Sequence, residues 1–330
     1  MVLGDRIRRN IITVSKEEQT RLKNAFVALH TSFHYPGPFR RSDFPNKPVA
    51  GVSYWFKQDE IHANTHVHEC PAFLPWHREL INRLEALLRE FDPQLSLHYW
   101  DWTTSPNPLF TSDFMGSASG DAGEPWLSAG FYVPGATNFR SDSSFDSAHN
   151  NPFDPPLSIN RDVSDGAPVT PEKDAAVINA TDFPSMRVLL EGSHGMAHGF
   201  IGGTLSDPHT SFRDPFVFLL HSNVDRLFAM WQLQPSHPER LNPNLVYGSE
   251  TNSKGSGDVA NAEVEDINWG ILSPLEPWAG PGLDAQTSET GIIANVRTTR
   301  PWASPENMQK FKDSRAVVIP ARYDTTSGAT

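Results

Sequence analysis

Histidines in this chain are concentrated in two groups that lie far apart in the sequence. The first group contains His62, His66, His68 and His77, and the second contains His194, His198 and His221. Aromatic and apolar residues flank both groups, which favours burial of the imidazoles. A buried imidazole is costly unless it is hydrogen-bonded or binds a metal ion, and histidine is the commonest metal ligand in proteins. The two groups therefore predict two metal sites that face each other.

The second group has the spacing of a metal site on a helix. His194 and His198 are four residues apart, and side chains at that spacing lie on one face of a helix, about 6 Å apart along its axis. His221, at the start of the next predicted helix, is the best candidate for the third ligand. Asp225 follows four residues later and is a candidate acceptor that could orient the imidazoles.

The first group offers more histidines than one ion needs. His77 follows Phe-Leu-Pro-Trp at the start of an apolar helix, and His68 can approach it from the preceding loop. His62 and His66 compete for the third position, since they are also four residues apart. The histidine that is not a ligand would then be a loop residue with a solvent or backbone partner.

The ligand type narrows the choice of metal. Coordination by imidazoles alone suits copper, zinc, iron or nickel rather than magnesium or calcium. Gly195 stands where a zinc protease of the His-Glu-x-x-His type has its glutamate, and a chain with one cysteine cannot supply the Cys-x-x-Cys of a zinc deaminase. The helices also carry no pair of Glu-x-x-His motifs for a di-iron site. Three imidazoles on each of two ions therefore favour copper.

The flanking residues resemble those of a known family of copper proteins. Phe-Leu-Pro-Trp-His-Arg, which ends at Arg78, resembles the first copper site of tyrosinases, catechol oxidases and haemocyanins. His194-x-x-x-His198 and a later Phe-x-x-His-x-x-x-Asp-Arg, which ends at Arg226, resemble their second site. Tyr-Trp-Asp-Trp at 99–102 and the glycine pair at 202–203 also resemble segments of that family. The resemblance extends from about residue 50 to about residue 235.

This resemblance implies a four-helix bundle that holds two copper ions, each on three histidines. Carried over residue by residue, it gives the first copper His62, His68 and His77, and the second His194, His198 and His221. His62 is preferred to His66 because the family's first ligand ends a helix, and the aromatic run at 54–56 leads into His62. The implied activity is oxidation of o-diphenols (catechols) to o-quinones by dioxygen, to which tyrosinases add hydroxylation of monophenols.

Positions beside the ligands bear on which phenols would react. In the family's efficient monophenol hydroxylases, an asparagine often follows the first histidine of the second site. With a nearby glutamate it holds a water that helps to deprotonate the phenol. This chain has Gly195 there, and Glu191 is the nearest carboxylate, so diphenol oxidation is favoured over monophenol hydroxylation. Phe218 is a candidate for restricting substrate access, with core packing as the alternative.

Three further positions depart from the family pattern. Ser222 replaces a second histidine that usually follows the last ligand, and His98 replaces a common proline. Cys70 follows His68, whereas the thioether-forming cysteine of some relatives precedes its histidine. We therefore expect Cys70 to be a small buried apolar residue without a Cys–His crosslink.

Other functions are compatible with paired histidine sites. Within the same family, the alternatives are oxidation of o-aminophenols and reversible dioxygen transport as in haemocyanins. The chain is a single small unit without tandem copies, which argues against a carrier. Outside the family, a structural or hydrolytic zinc domain is the remaining alternative.

Apolar periodicity predicts the mainly α architecture that must position the histidines. A capping box at Ser15–Glu18 begins the first helix, and Asp92-Pro93 ends the third. Helices are predicted over about 15–31, 52–62, 76–91, 183–190 and 216–231, and loops over about 35–48 and 103–180, with a short extended piece at 316–320. The predicted fold is a four-helix bundle core with long loops and a few short strands around it.

Composition bounds the domain organisation and the partners. The chain has 330 residues, a net charge of -12 and one cysteine, so no intramolecular disulfide can form and nucleic acid is an unfavourable partner. No segment has the length of a membrane span or the apolar core of a signal peptide. We expect one domain over 1–330, with the copper core at about 50–235 and a loop-rich segment at 236–330 packed on it. The expected location is cytoplasmic, with carrier-assisted export as the alternative, and the expected partners are a small phenol and dioxygen.

Overall fold

The computed structural model describes most of the predicted core. The described residues are 3–31, 34–39, 49–53, 55, 58–59, 62, 67–120, 159–208, 210–254, 269–273, 275, 310–314, 317 and 319–326. His66, the alternative to His62 as a ligand, lies outside them, as does residue range 121–158.

Helices dominate this part of the chain. They are α1 (Lys16–Thr31), α2 (Phe73–Phe91), α3 (Pro171–Ile178), α4 (Phe183–Ile201) and α5 (Phe216–Gln232). Helix α5 packs against both α2 and α4, α1 packs against α2, and the short α3 lies across α4 and α5. The predicted mainly α bundle is therefore confirmed. None of the helices among the described residues is long and apolar enough to cross a membrane.

Helix α2 begins at Phe73, three residues before the predicted start at Trp76. Pro75 is tolerated because it lies in the first turn, where a backbone N–H has no partner within the helix. Leu80, Leu84, Leu87 and Leu88 on the apolar face of α2 are fully buried, whereas Phe91 at the end of the helix is exposed. The helix ends where predicted, with the Asp92 N–H bonded to the Leu88 carbonyl at 3.0 Å.

The capping box predicted for α1 is only half formed. Ser15 Oγ accepts the Glu18 N–H at 3.2 Å, as an N-cap should. The Glu18 carboxylate, however, lies 2.9 Å from Nε2 of the buried His98. This hydrogen bond holds the pKa of Glu18 below its ordinary value. The residue that replaces a common proline thus anchors the start of α1.

The predicted loop at 35–48 and the predicted helix from Val52 were both partly wrong. A two-stranded antiparallel sheet forms there from β2 (His34–Phe39) and β3 (Val49–Ser53), with His34 opposite Ser53. Prolines at 36 and 38 suggested a loop, but each strand of a two-stranded sheet has a free edge where a missing N–H is tolerated. Among the described residues, Trp55 is the first after β3 to have helical geometry, and His62 has it as well.

The predicted irregular region at 103–180 contains one helix that was missed. Helix α3 starts with Pro171 in its first turn and has Glu172 and Asp174 beside it. Proline at that position and acidic residues in the first turn are both helix-start signals. Eight residues are too short for apolar periodicity to be decisive, so the signal was overlooked.

The chain termini form a second small sheet. The strand β1 (Ile7–Arg8) pairs in parallel with β4 (Arg322–Tyr323). Within the extended piece predicted at 316–320, the described residues 317, 319 and 320 lie outside a strand, since Val317 has helical geometry and the strand begins at Arg322. The segment after 235 therefore contributes a strand that fixes the N-terminus.

Helix α4 ends at two glycines. Gly202 ends the helix with a φ of 70°, and Gly203 follows with a φ of 55°. A Cβ on Gly203 would lie 2.2 Å from the Asn160 carbonyl oxygen. Only glycine fits there, and the sharp turn directs the chain back over the end of α4.

A buried charged network joins both termini to the bundle. Arg8 lies between Glu85 of α2, at 2.9 Å, and Asp225 of α5, at 3.0 Å. Asp225 also pairs with Arg78 of α2 and accepts the Tyr323 hydroxyl at 2.6 Å. Because these charges are buried, removal of one partner would leave another uncompensated. The network thereby fixes α2 and α5, which carry predicted ligands, against each other.

We predict that Tyr323→Phe lowers the free energy of unfolding by about 1–3 kcal/mol, because it leaves buried polar groups unsatisfied. The Tyr323 hydroxyl bonds to both Asp225 and Arg8. Tyr247→Phe is the matched control: that side chain is equally buried, but its hydroxyl makes one long bond, 3.4 Å, to the Phe311 carbonyl. Urea unfolding measures both losses. An equal loss in the two variants would contradict the role given to the network.

Candidate metal centre

The bundle brings six of the predicted histidines together as two triads. The first triad is His62, His68 and His77, and the second is His194, His198 and His221. Within each triad, one nitrogen from each ring lies within 4.8 Å of the other two. His77 is on α2, His194 and His198 are on α4, and His221 is on α5. His68 lies on the non-helical segment before α2.

The second triad has three ring nitrogens that converge on one point. His221 Nε2 lies 3.3 Å from His194 Nε2 and 3.2 Å from His198 Nε2. An ion about 2 Å from each of three nitrogens would need them roughly 3.3 Å apart. The spacing therefore matches the requirement of a single metal ion.

The first triad has buried nitrogens that no group in the described part of the chain satisfies. His62 Nε2 and His77 Nε2 are fully buried and have no hydrogen-bond partner among the described residues. Buried polar atoms without partners are rare and costly in native proteins, and an ion between the rings would satisfy both. The donor set of this triad thus fits a metal ion as well.

The two triads face each other at short range. The His77 and His221 rings are stacked with centroids 4.6 Å apart, and the His68 and His194 rings are stacked at 5.9 Å. Two ions held by these rings would be close neighbours. A substrate of two or more atoms, such as dioxygen, could contact both at once.

Backbone carbonyls set the tautomer of three of the rings. The Nδ1 atoms of His62, His77 and His198 lie 2.9, 2.8 and 2.7 Å from the carbonyl oxygens of Pro208, Phe73 and Leu205. A carbonyl oxygen carries no proton, so each Nδ1–H must donate. The proton-free Nε2 of each ring is then available to a metal.

One short segment orients a ring in each triad. Leu205 bonds to His198 of the second triad, and Pro208 bonds to His62 of the first. Both lie in the turn that follows the glycine pair at 202–203. The turn at these glycines therefore places the two carbonyl oxygens that orient His198 and His62.

Five of the six imidazoles are held in the neutral form that metal binding requires. Burial and the neighbouring rings hold the pKa values of His62, His77, His194 and His221 well below the ordinary 6.5, and burial lowers the pKa of His198 to about 4. At neutral pH no proton has to leave these rings before an ion binds.

Phe218 is placed in the core behind the centre. It is fully buried, and its ring lies 5.4 Å from Trp55 and 5.1 Å from Phe212, measured between centroids. Phe212 in turn stacks on His62 at 4.0 Å. This placement favours the core-packing alternative for Phe218, with Phe212 as the aromatic residue that contacts a predicted ligand.

The sequence-based role of Asp225 as an imidazole acceptor was wrong. Its carboxylate oxygens accept from Arg8, Arg78 and Tyr323. Three of the imidazoles, those of His62, His77 and His198, bond to backbone carbonyls instead. The physical reason is that two buried guanidinium groups need a counter-charge more than neutral rings do.

A cavity of about 750 Å³ lies beside the two triads. Its walls include four of the six histidines, three glycines of α4, the apolar Val188, Leu205 and Pro208, and the charged Glu69, Arg187 and Glu191. Gly195 lies on this wall, and a Cβ there would meet no atom within 4 Å.

Glu191 lies on the cavity wall, but its carboxylate is engaged. One oxygen accepts the Glu69 backbone N–H at 2.5 Å, and the other accepts from Arg187 at 2.9 Å. Burial raises the pKa of this carboxyl group to about 7.

Two other departures from the family pattern have structural roles. The Ser222 hydroxyl donates to the Leu97 carbonyl at 3.3 Å. Cys70 is a free thiol that is 1% exposed within the hydrophobic core, and burial raises its pKa to about 12. A thiol with that pKa is protonated and unreactive.

Several residues of the centre were not predicted. Phe73 could have been found, since its carbonyl lies four residues before His77 on the same helix. Leu205, Pro208 and Phe212 act through the path of the chain after α4, which local periodicity does not reveal. Arg187 has helical spacing from Glu191, but that spacing is common on any exposed helix.

Comparisons with known proteins place the chain among copper proteins. A family model described as "Common central domain of tyrosinase" matches residues 24–234. A putative tyrosinase-like protein of Caenorhabditis elegans is 28% identical over 253 residues, which are 70% of this chain and 31% of the worm protein. Grixazone synthase of Streptomyces griseus is 27% identical over 317 residues, 82% of this chain and 93% of that enzyme.

The chain is also similar to a haemocyanin and to a polyphenol oxidase of known structure. Hemocyanin 2 of Megathura crenulata is 29% identical over 237 residues, 69% of this chain and 6% of that protein. The chain thus spans less than a third of the worm protein and a small part of the haemocyanin. The structure of a variant polyphenol oxidase from Thermothelomyces thermophila matches with a TM-score of 0.55 and 21% identity, covering 81% of this chain and 80% of that one.

We predict that the metal-free protein loses stability as the pH falls below about 6.5, the ordinary pKa of histidine. The folded rings resist protonation, with His198 titrating only near 4, whereas the unfolded chain takes up protons from about 6.5 downward. Stability from these rings is therefore full above 6.5 and declines toward 4. Urea midpoints at pH 7.5, 6.5 and 5.5 measure the decline. A urea midpoint that does not change with pH would contradict burial of neutral imidazoles. His237→Gln is the control: it replaces an exposed histidine, so the decline with pH should be the same as in wild type.

Proposed function

Because the chain belongs to the tyrosinase family, whose members use a dinuclear copper centre, we propose that it oxidises o-diphenols to o-quinones with dioxygen. The single observation that carries the proposal is the pair of facing histidine triads beside a cavity. When bound, the copper pair supplies dioxygen binding and electron transfer. Each catechol loses two electrons and two protons, so one dioxygen oxidises two catechols and leaves as two waters.

The cavity supports a substrate larger than dioxygen. Its volume of about 750 Å³ lies within the range of small-molecule sites. Val188, Leu205 and Pro208 supply apolar surface for an aromatic ring, and His68, His194 and His198 lie on the same walls. A site that only carries dioxygen needs no such space, which favours an enzyme over a haemocyanin-like carrier.

The chain's own residues favour diphenols over monophenols. A monophenol must lose its proton before it can be hydroxylated, and a positioned base assists that loss. Gly195 has no side chain to hold a water, and both oxygens of Glu191 already accept hydrogen bonds from the protein. We therefore propose o-diphenol oxidation as the main activity, with o-aminophenols as the alternative substrates.

We predict that copper-loaded protein consumes dioxygen with catechol and with o-aminophenol, and that removal of copper by a chelator abolishes the uptake. Re-addition of copper should restore it, whereas zinc should not, because zinc has no redox chemistry. Oxygen-electrode measurements on the same samples compare catechols, o-aminophenols and monophenols. Turnover in a fully chelated sample would contradict the proposal. Reversible oxygen binding without catechol oxidation would indicate a carrier.

We also predict that Gly195→Asn raises the ratio of monophenol to diphenol turnover by roughly tenfold, below the range usual for a fully positioned acid or base. The new side chain would have room, because a Cβ at this position contacts nothing within 4 Å. Gly199→Asn is the matched control, since Gly199 follows His198 as Gly195 follows His194 and has the same free space. An equal change in both variants would show that the effect is not specific to position 195.

A further inference from the structure

His68 differs from the other ligands of the proposed copper centre in how it is held. His77, His194, His198 and His221 lie on helices, and His62 has helical geometry. His68 lies on a non-helical segment between the buried Val67 and Cys70. Its position must therefore be fixed by contacts of this segment with the bundle.

We propose that Glu191 is the positioning residue that holds His68, and with it the first copper site, in register with the second site. This inference rests on the proposed dicopper function. Glu191 Oε1 accepts the backbone N–H of Glu69, the residue directly after His68, at 2.5 Å. The bond joins two residues that are 122 positions apart in the sequence.

The backbone at Glu69 requires such support. Glu69 has a φ of 55°, in the left-handed region that residues with a side chain rarely adopt. Its side chain is exposed, so burial does not hold it in place. Strained conformations of this kind persist only where the surrounding structure enforces them. The hydrogen bond to Glu191 supports it directly, together with burial of the neighbouring Val67 and Cys70.

Glu191 is itself fixed from the other side. Its second oxygen accepts from Arg187 Nη1 at 2.9 Å, and Arg187 Nη2 donates to Glu250 at 2.9 Å. Glu250 lies on the turn Gly248–Glu250, which packs against α4. The three side chains thus form a continuous chain of hydrogen bonds from that turn to the His68 segment.

The same helix carries the ligands of the second site. Glu191 lies three residues before His194 on α4, and His198 follows one turn later. A contact from Glu191 to the His68 segment therefore links the two triads directly. The His68 and His194 rings, which stack at 5.9 Å across the centre, are the pair whose separation this link would set.

The geometry favours this positioning role over a role as proton acceptor. Each Glu191 oxygen accepts a hydrogen bond from a protein donor, and these two bonds direct the carboxylate at the Glu69 backbone and at Arg187. The main effect of removing the carboxylate should then be weaker retention of copper rather than slower proton transfer.

The test is the rate at which copper leaves the two sites. Copper-loaded wild type, Glu191→Ala and Glu191→Gln are mixed with excess chelator, and released copper is followed with time. We expect Glu191→Ala to release one of its two coppers at least tenfold faster than wild type. Loss of a group that orients a metal ligand typically weakens metal binding by about 10- to 100-fold, and tenfold is the lower limit of that range. Glu191→Gln keeps an acceptor for the Glu69 N–H and should fall between wild type and Glu191→Ala.

A second comparison identifies the affected site. His68→Ala removes a first-triad ligand, so its retained copper lies in the second triad. Addition of Glu191→Ala to that variant should leave the release rate unchanged. Arg187→Met removes the hydrogen bond that supports Glu191 but keeps the Glu191 carboxylate. It should therefore accelerate copper release by a smaller factor than Glu191→Ala does.

Asp5→Ala is the matched control. Asp5 also accepts a backbone N–H, from Ile7 at 3.0 Å, and also pairs with an arginine four residues away, Arg9. It lies outside both triads, so its removal should leave both release rates at the wild-type value.

Three results would overturn the inference. The first is that Glu191→Ala releases both coppers faster by the same factor. The second is that Glu191→Ala releases both coppers at the wild-type rate. The third is that Glu191→Ala accelerates copper release when it is added to His68→Ala. Wild-type protein that retains no copper at all would instead overturn the proposed function. The two failures are therefore distinguishable in one set of measurements.

Discussion

Six imidazoles with their nitrogens directed at one another, four of them buried and two half-buried, are the constraint on which the rest of the structure depends. In the second triad the Nε2 atoms lie 3.2 and 3.3 Å apart, and in the first triad two Nε2 atoms are buried with no partner in the described part of the chain. Such an arrangement is unfavourable in a protein interior unless a cation lies between the rings. The free energy that this centre costs the metal-free fold must be offset by the scaffold around it.

The scaffold meets this requirement with rigid helices and buried polar contacts. The network of Arg8, Arg78, Asp225 and Tyr323 fixes α2 against α5. Backbone carbonyls of Phe73, Leu205 and Pro208 select the tautomer that leaves Nε2 free. Proton state, ring orientation and separation are thus set before a metal arrives, which is the general condition for a preorganised site.

The sequence predicted the centre better than it predicted its supports. His194 and His198 have helical spacing, and His77 lies in an apolar helix, so local pattern alone places them. The carbonyls of Leu205 and Pro208 reach the rings only because glycines at 202–203 turn the chain back, and the Glu191–Glu69 bond spans 122 positions. The role of Asp225 was wrong because the buried Arg8 lies 217 residues away. The sheet β2–β3 was missed because proline and glycine are more typical of loops.

Anomalous diffraction at the copper absorption edge, from crystals of copper-loaded protein, tests the central claim most directly. The account predicts two separate peaks per chain, one bounded by His62, His68 and His77 and the other by His194, His198 and His221. A single peak shared between the triads, or copper bound elsewhere with both triads empty, would contradict it.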